Sequence, residues 1–214
     1  MVNIENYNTI SAFTKSNNTT LVAVSKLKPA SDVEQMYALG HKDFGENYVQ
    51  ELVDKQAQLP SDINWHFIGH LQSNKVKYIA PFVHLIQGVD TEKLLAEINK
   101  QAAKNNRSIQ VLLQVHIATE DTKFGFDEKE ILDVEITKYP NVEIIGLMGM
   151  ASFTENTKQV QHEFESLKTL FDKVKIEKNI TLTTISMGMS NDYELAINCG
   201  SNMIRVGSLL FGNR

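Results

Sequence analysis

Lys26 follows directly on the short apolar run Leu21-Val22-Ala23-Val24, in the segment LVAVSKLKPA. A lysine at a strand end is either a solvated surface cation or an amine that condenses with a carbonyl, as Schiff-base lysines do. Further along, GENYVQE and WHFIGHLQSNK place Glu46, Asn47, His66, His70, Gln72, Ser73 and Asn74 in or just beyond short apolar runs. His66 and His70 suggest a metal pair, but no Glu follows the first in the HExxH order. Gly69 and the polar run behind it mark a loop, so no metal site is expected. His66, beside Trp65, reads better as a hydrogen-bonded histidine lining an interior. The segment HIATEDTKFGF adds Thr119, Glu120, Lys123 and Gly125, which can simply shape a loop and cap the following helix.

The carboxyl-terminal third says more. SMGMSND sets Ser186, Gly188 and Ser190 between a strand and a helix, where unpaired N–H groups and a positive helix end favour an anion. Ordinary serine caps are the competing reading. In MIRVGSLLFG a strand delivers Arg205 toward an interior, and Gly207-Ser208 then offers a close-approach turn and a hydroxyl. Neither GxxxxGK[ST] nor an early GxGxxG is present, so this is neither a Walker loop nor a dinucleotide fingerprint.

These residues need elements to carry them. Eight short runs rich in apolar or β-branched residues read as buried strands, over 21–24, 41–44, 64–68, 83–87, 110–117, 143–148, 182–186 and 203–206. Between them, segments with helical periodicity cover 32–39, 91–104, 128–139, 157–174 and 192–199, and an amino-terminal helix is expected over about residues 3–15. Alternating β and α leaves an open doubly wound sheet or a closed barrel, and eight strands favour a single-domain (β/α)8 TIM barrel spanning residues 1–214. Only Leu209 to Arg214 follows the last strand, so the amino-terminal helix is expected to cover that part of the wall. In either architecture the loops at the carboxyl ends of the strands hold the site, and barrels commonly bind phosphate after strands seven and eight.

Composition narrows the partners. The 214 residues carry 21 Lys+Arg against 26 Asp+Glu, a net charge of -5 without a basic stripe, which argues against nucleic acid. No run of about 18 apolar residues and no secretory layout is present, so no membrane is expected. One cysteine, Cys199, supports neither a disulfide framework nor a Cys-rich zinc site, and the cytoplasm is the default compartment.

In a closed barrel the first and eighth strands are neighbours, which brings together a lysine, an arginine and an anion nest. Pyridoxal 5'-phosphate (PLP) needs all three: an amine for its aldehyde, donors for its phosphate and a partner for its ring nitrogen. A fixed cation at that nitrogen disfavours ring protonation and weakens the electron sink, which suits racemase-like chemistry or simple carriage better than transamination.

The chain closely resembles the pyridoxal phosphate homeostasis protein family of PLP-binding proteins. The likeness runs through LVAVSKLKPA, DFGENYVQE, WHFIGHLQSNKVKYI, LLQV with KFGF, GLM, TISMGMS and MIRVGSLLFG. It implies a barrel related to the amino-terminal domain of alanine racemase, with PLP as an internal aldimine on Lys26. It implies phosphate contacts from Ser190, Gly207 and Ser208, with Ser186 as a further candidate, and Arg205 by the ring nitrogen. Asn47 is carried over as a polar contact on the cofactor side. The Gly149-Met150-Ala151-Ser152 loop departs from common family forms, and both ends are shorter than is usual there. The resemblance implies regulation of vitamin B6 and amino-acid balance rather than catalysis. Racemisation needs a second acid or base opposite the lysine. Alanine racemase takes that group from a partner subunit's additional domain, and no such domain is expected after Arg214. The expectation is a monomeric PLP carrier or buffer with transient contacts to PLP-requiring apoenzymes, the alternative being a weak PLP-dependent amino-acid racemase.

Overall fold

The computed structural model describes residues 2–118 and 124–212; Thr119, Glu120, Lys123 and Arg214 lie outside the described residues. Eight strands, β1 (Thr20–Val24), β2 (Asp43–Glu46), β3 (Asn64–Phe67), β4 (Leu85–Val89), β5 (Ile109–Val115), β6 (Val142–Gly149), β7 (Thr184–Ser186) and β8 (Met203–Val206), close into a barrel in chain order. Every pairing is parallel, and β8 returns to β1 with Arg205 opposite Val22.

The period of two along each strand sorts side chains into two cores. Val22, Leu85, Leu112, Met148 and Met203 fill the barrel. Phe44, Trp65, Ile86, Val111, Leu147 and Ile204 belong to the larger cluster between the sheet and its helices. Those helices are α1 (Ile4–Ser16), α2 (Ala30–Ala38), α3 (Val49–Gln56), α4 (Val76–Ile79), α5 (Glu92–Lys104), α6 (Glu128–Asp133), α7 (Thr157–Lys178), α8 (Tyr193–Asn198) and α9 (Ser208–Phe211). As expected, α1 covers the wall at the chain's end: the Asn3 amide donates to the Leu210 carbonyl at 2.8 Å and Asn6 Nδ2 to that of Leu209 at 2.9 Å.

Several boundaries differ from the sequence reading, among them α7, which runs on to Lys178, and β5, which ends at Val115. β2 begins at Asp43 rather than His41, whose ring instead packs edge-on against Tyr7 and Phe44. β4 begins at Leu85 because the Val83 amide is taken by the Ile79 carbonyl at the end of α4. β7 begins at Thr184 rather than Leu182. The helix expected to reach Tyr139 stops at Asp133, where Val134 turns extended. The sequence reading did not anticipate α3 at all. Among the described residues no helix is long and apolar enough to cross a membrane, and no group of three or more His, Cys, Asp or Glu side chains is placed to hold a metal.

Candidate site at the carboxyl end of the barrel

A chain of hydrogen bonds threads the barrel interior. Arg205 donates from Nη1 to Ser186 Oγ at 2.6 Å and from Nη2 to the Gly149 carbonyl at 3.0 Å. Ser186 Oγ in turn donates to Gln87 Oε1 at 2.7 Å, and Gln87 Nε2 lies 3.1 Å from His66 Nδ1. His66 Nε2 then reaches Asp43 Oδ1 at 3.2 Å. The direction of every bond follows from one fact, that a guanidinium has no acceptor. Ser186 must accept from Arg205 and so donates to Gln87. Gln87 therefore presents its oxygen there and its amide N–H to His66, whose Nδ1 accepts while Nε2 carries the proton to Asp43. The expectation of a hydrogen-bonded histidine at position 66 is met, and Gln87, a lone polar residue in the fully buried strand LIQGV, joins the site unannounced.

Arg205 is 4% exposed. Burial draws its pKa down to about 10, with the Asp192 carboxylate acting in the opposite sense, so it stays charged at neutral pH. Burial pushes the Asp192 carboxyl up, opposed by the Met189 amide bond and by Arg205. Ser186 is fully buried beneath Arg205, not in the anion nest where it was grouped with Ser190.

The nest itself joins two loops. Ser190 Oγ accepts from the Gly207 amide at 3.3 Å, tying the loop after β7 to the turn after β8. A Cβ on Gly207 would stand 3.3 Å from both the Cβ and the carbonyl oxygen of Val24, so backbone and strand meet closely there. The amides of Ser208 and Leu209 open α9 and have no intrahelical acceptor. Gly188 has φ +97°, and a Cβ there would come within 2.6 Å of Ala196 Cβ. Beside the nest lies a cleft of about 910 Å³, lined by residues that include Met150, Phe153, Asp192, Tyr193 and both nest serines.

Across the mouth, Lys26 is half-buried in the turn after β1. Val22 is level with Arg205 in the sheet, and Lys26 lies beyond the end of β1 at Val24, nearer the rim. Asn47 Oδ1 is buried without a hydrogen-bond partner among the described residues. Glu46 does not face the mouth: it points to the outer side of β2, where its Oε1 accepts from Ser25 Oγ at 2.6 Å and from Lys55 Nζ at 2.7 Å. His70 is held at the rim by Asp90 at 2.8 Å and stacks on Phe124 at 4.4 Å. Gln72, Ser73 and Asn74 lead through a 3-10 turn (Ser73–Lys75) into α4. Lys55 and Glu51 belong to α3, which the sequence reading does not include.

Known proteins resemble this chain in sequence and fold to different degrees. The family model for the alanine racemase N-terminal domain matches residues 4–214. A pyridoxal phosphate homeostasis protein of Aquifex aeolicus is 42% identical over 197 residues, 91% of this chain and 86% of that protein. The one of Pasteurella multocida is 39% identical over 200 residues, again 91% and 86%. PipY of Synechococcus elongatus PCC7942, solved with PLP bound, superimposes with a TM-score of 0.84 at 35% identity, covering 91% of this chain and 93% of that one. With identity at this level over nine-tenths of its length, the chain belongs to the pyridoxal phosphate homeostasis protein family, on the alanine racemase N-terminal barrel.

Proposed function

We propose that this chain binds PLP and carries or buffers it without catalysing a reaction of its own, as a cytoplasmic monomer with transient contacts to PLP-requiring apoenzymes. Lys26 would take the aldehyde carbon. Ser190, Gly207 and Ser208 would take the phosphate, Arg205 the ring nitrogen, and Asn47 a polar edge of the ring, while Ser186 acts through Arg205. The residues fit the group: the first-turn amides of α9 await an acceptor, and Asn47 Oδ1 is a buried oxygen awaiting a donor.

The observation that carries the reading is Arg205, a buried cation held by Ser186 and Gly149 on the strand next to Lys26. PLP, when bound, supplies an electrophilic aldehyde and an electron-withdrawing ring. A guanidinium at the ring nitrogen, charged at neutral pH, opposes protonation there and keeps the ring a weak electron sink. That favours holding the cofactor over stabilising carbanions on it.

The test is an absorption spectrum of the purified protein with and without PLP, then borohydride reduction and peptide mapping, then transfer to a PLP-requiring apoenzyme. A visible band, a reduced adduct confined to Lys26 and recovery of apoenzyme activity are expected. Absence of any specific adduct overturns the reading. Robust amino-acid enantiomer exchange that vanishes in Lys26→Ala would replace carriage with racemisation.

A further inference from the structure

Lys26 sits between two residues that are both gripped from behind. Ser25 to Lys28 form a four-residue turn, with the Lys28 amide donating to the Ser25 carbonyl at 3.1 Å. Lys26 is its second residue and Leu27 its third. Leu27 has φ +60°, the left-handed region where a turn prefers glycine, and its side chain is 56% exposed, so packing does not compensate. What holds the turn comes from α3. Lys55 Nζ donates to the Ser25 carbonyl at 2.7 Å, and Glu51 Oε1 accepts from the Leu27 amide at 2.6 Å. The same Lys55 amine donates to Glu46 Oε1 and Glu51 Oε1, each at 2.7 Å, and Ser25 Oγ donates to Glu46 Oε1. Lys55 is 4% exposed and Glu46 is fully buried.

A lysine is usually the most mobile of side chains, and a buried one that spends all three of its ammonium donors within one cluster is an expensive arrangement. We propose that Lys55, Glu46 and Glu51 form the positioning device of Lys26, clamping the Ser25–Lys28 turn in its left-handed form so that the Lys26 amine meets an aldehyde lodged between Arg205 and the nest. The inference rests on the PLP reading above. In the step it serves, Lys26 Nζ forms a bond to the aldehyde carbon and the carbonyl oxygen departs as water, taking both amine hydrogens. The clamp residues touch neither reacting atom; they set where the amine begins.

The experiment compares two ligands on the intact protein. PLP can be captured by the amine, whereas pyridoxamine 5'-phosphate offers the same phosphate and ring without an aldehyde. Glu51→Ala removes the Leu27 anchor from a partly exposed position, and the double variant Glu46→Gln/Lys55→Met removes the grip on the Ser25 carbonyl without stranding a fully buried charge, since only the partly exposed Glu51 loses its cation. Both are expected to bind pyridoxamine 5'-phosphate within about twofold of the parent. Both are expected to form the borohydride-reducible Lys26 adduct on the order of tenfold to a hundredfold more slowly, the scale of a misplaced reacting group. Glu51→Gln, which keeps the oxygen facing the Leu27 amide, should restore most of the rate. Equal losses for both ligands would assign the cluster a merely structural role and overturn the proposal, as would parental capture rates in Glu51→Ala. A parent protein that binds neither ligand would overturn the PLP reading itself.

Discussion

Asp43 and Glu46 stand three residues apart on β2, face opposite sides of the sheet, and have carboxyl groups shifted in opposite directions. Burial alone would raise Asp43, but the hydrogen bonds from His66 and Asn64 hold it below its ordinary value. Burial raises Glu46 more than Lys55 and Ser25 lower it, and the charge of Glu51 adds to the rise. The contrast separates two ways of building a rigid mouth. Inside the barrel a single buried cation, Arg205, is fixed by a one-way chain of hydrogen bonds that runs through neutral side chains and ends on Asp43. Outside it, one ammonium serves two carboxylates, and Glu46 Oε2 is left without a partner among the described residues.

The sharpest way to break the comparison is Lys55→Met. It leaves Glu46 buried with no cation, and removing one partner of a buried ion pair costs about 3–5 kcal/mol. Urea denaturation should show a loss of that size, and adding Glu46→Gln should recover most of it. A loss under about 1 kcal/mol would mean that solvent reaches the pair and that the two walls do not differ in kind.

On the inner wall the corresponding change is Ser186→Ala. It removes the acceptor of one Arg205 donor and the donor to Gln87 Oε1. Breaking a buried bond to a charged group costs about 1.5–3 kcal/mol, less than the ion pair. The same denaturation series decides the order, and Ser186→Ala exceeding Lys55→Met would invert the comparison.

How much of this was legible beforehand depends on the face a residue occupies. The barrel itself was, because buried parallel strands announce themselves as apolar runs; Lys26, Arg205 and Gly207-Ser208 were, because strand ends point to the mouth. His66 was placed in the interior because it lies inside such a run. Ser186 was misgrouped because sequence order alone does not say whether the last strand residue faces in with Arg205 or out into the loop. Lys55 is not legible: a lysine in a polar segment looks solvated, and only the fold brings it to within 2.7 Å of the Ser25 carbonyl, thirty positions away. Helix α3 was missed for the same reason, since what fixes it is tertiary, namely Leu52 and Lys55 buried against the sheet.

The two carboxylates also predict opposite pH behaviour. Asp43, with a lowered folded value, contributes stability that is present above its ordinary 3.8 and lost as pH falls through the lowered value. Glu46, with a raised one, contributes stability that is present below its ordinary 4.5 and lost as pH rises through the raised value. Denaturation midpoints followed from pH 4.5 upward should therefore climb relative to the parent in Glu46→Gln. In Asp43→Asn the deficit against the parent should shrink as pH falls below 3.8. Slopes of the same sign in both variants would show that the two faces share one electrostatic environment.

The smallest effect belongs to the pair that looks most like the clamp. Lys42, one residue before β2, meets Asp62 at 2.6 Å, and Tyr37 donates to the same carboxylate at 2.7 Å. The bond lengths match those of Lys55, yet both side chains are about half exposed, 50% and 47%. Water solvates the two ions almost as well apart as together, and holding two long side chains in one geometry opposes what attraction remains. Lys42→Ala should therefore leave the denaturation midpoint within experimental error, at low salt and high. A Lys42→Ala loss comparable to that of Lys55→Met would show that bond length, not burial, decides what an ion pair does in this barrel. The clamp behind Lys26 would then be one surface contact among several.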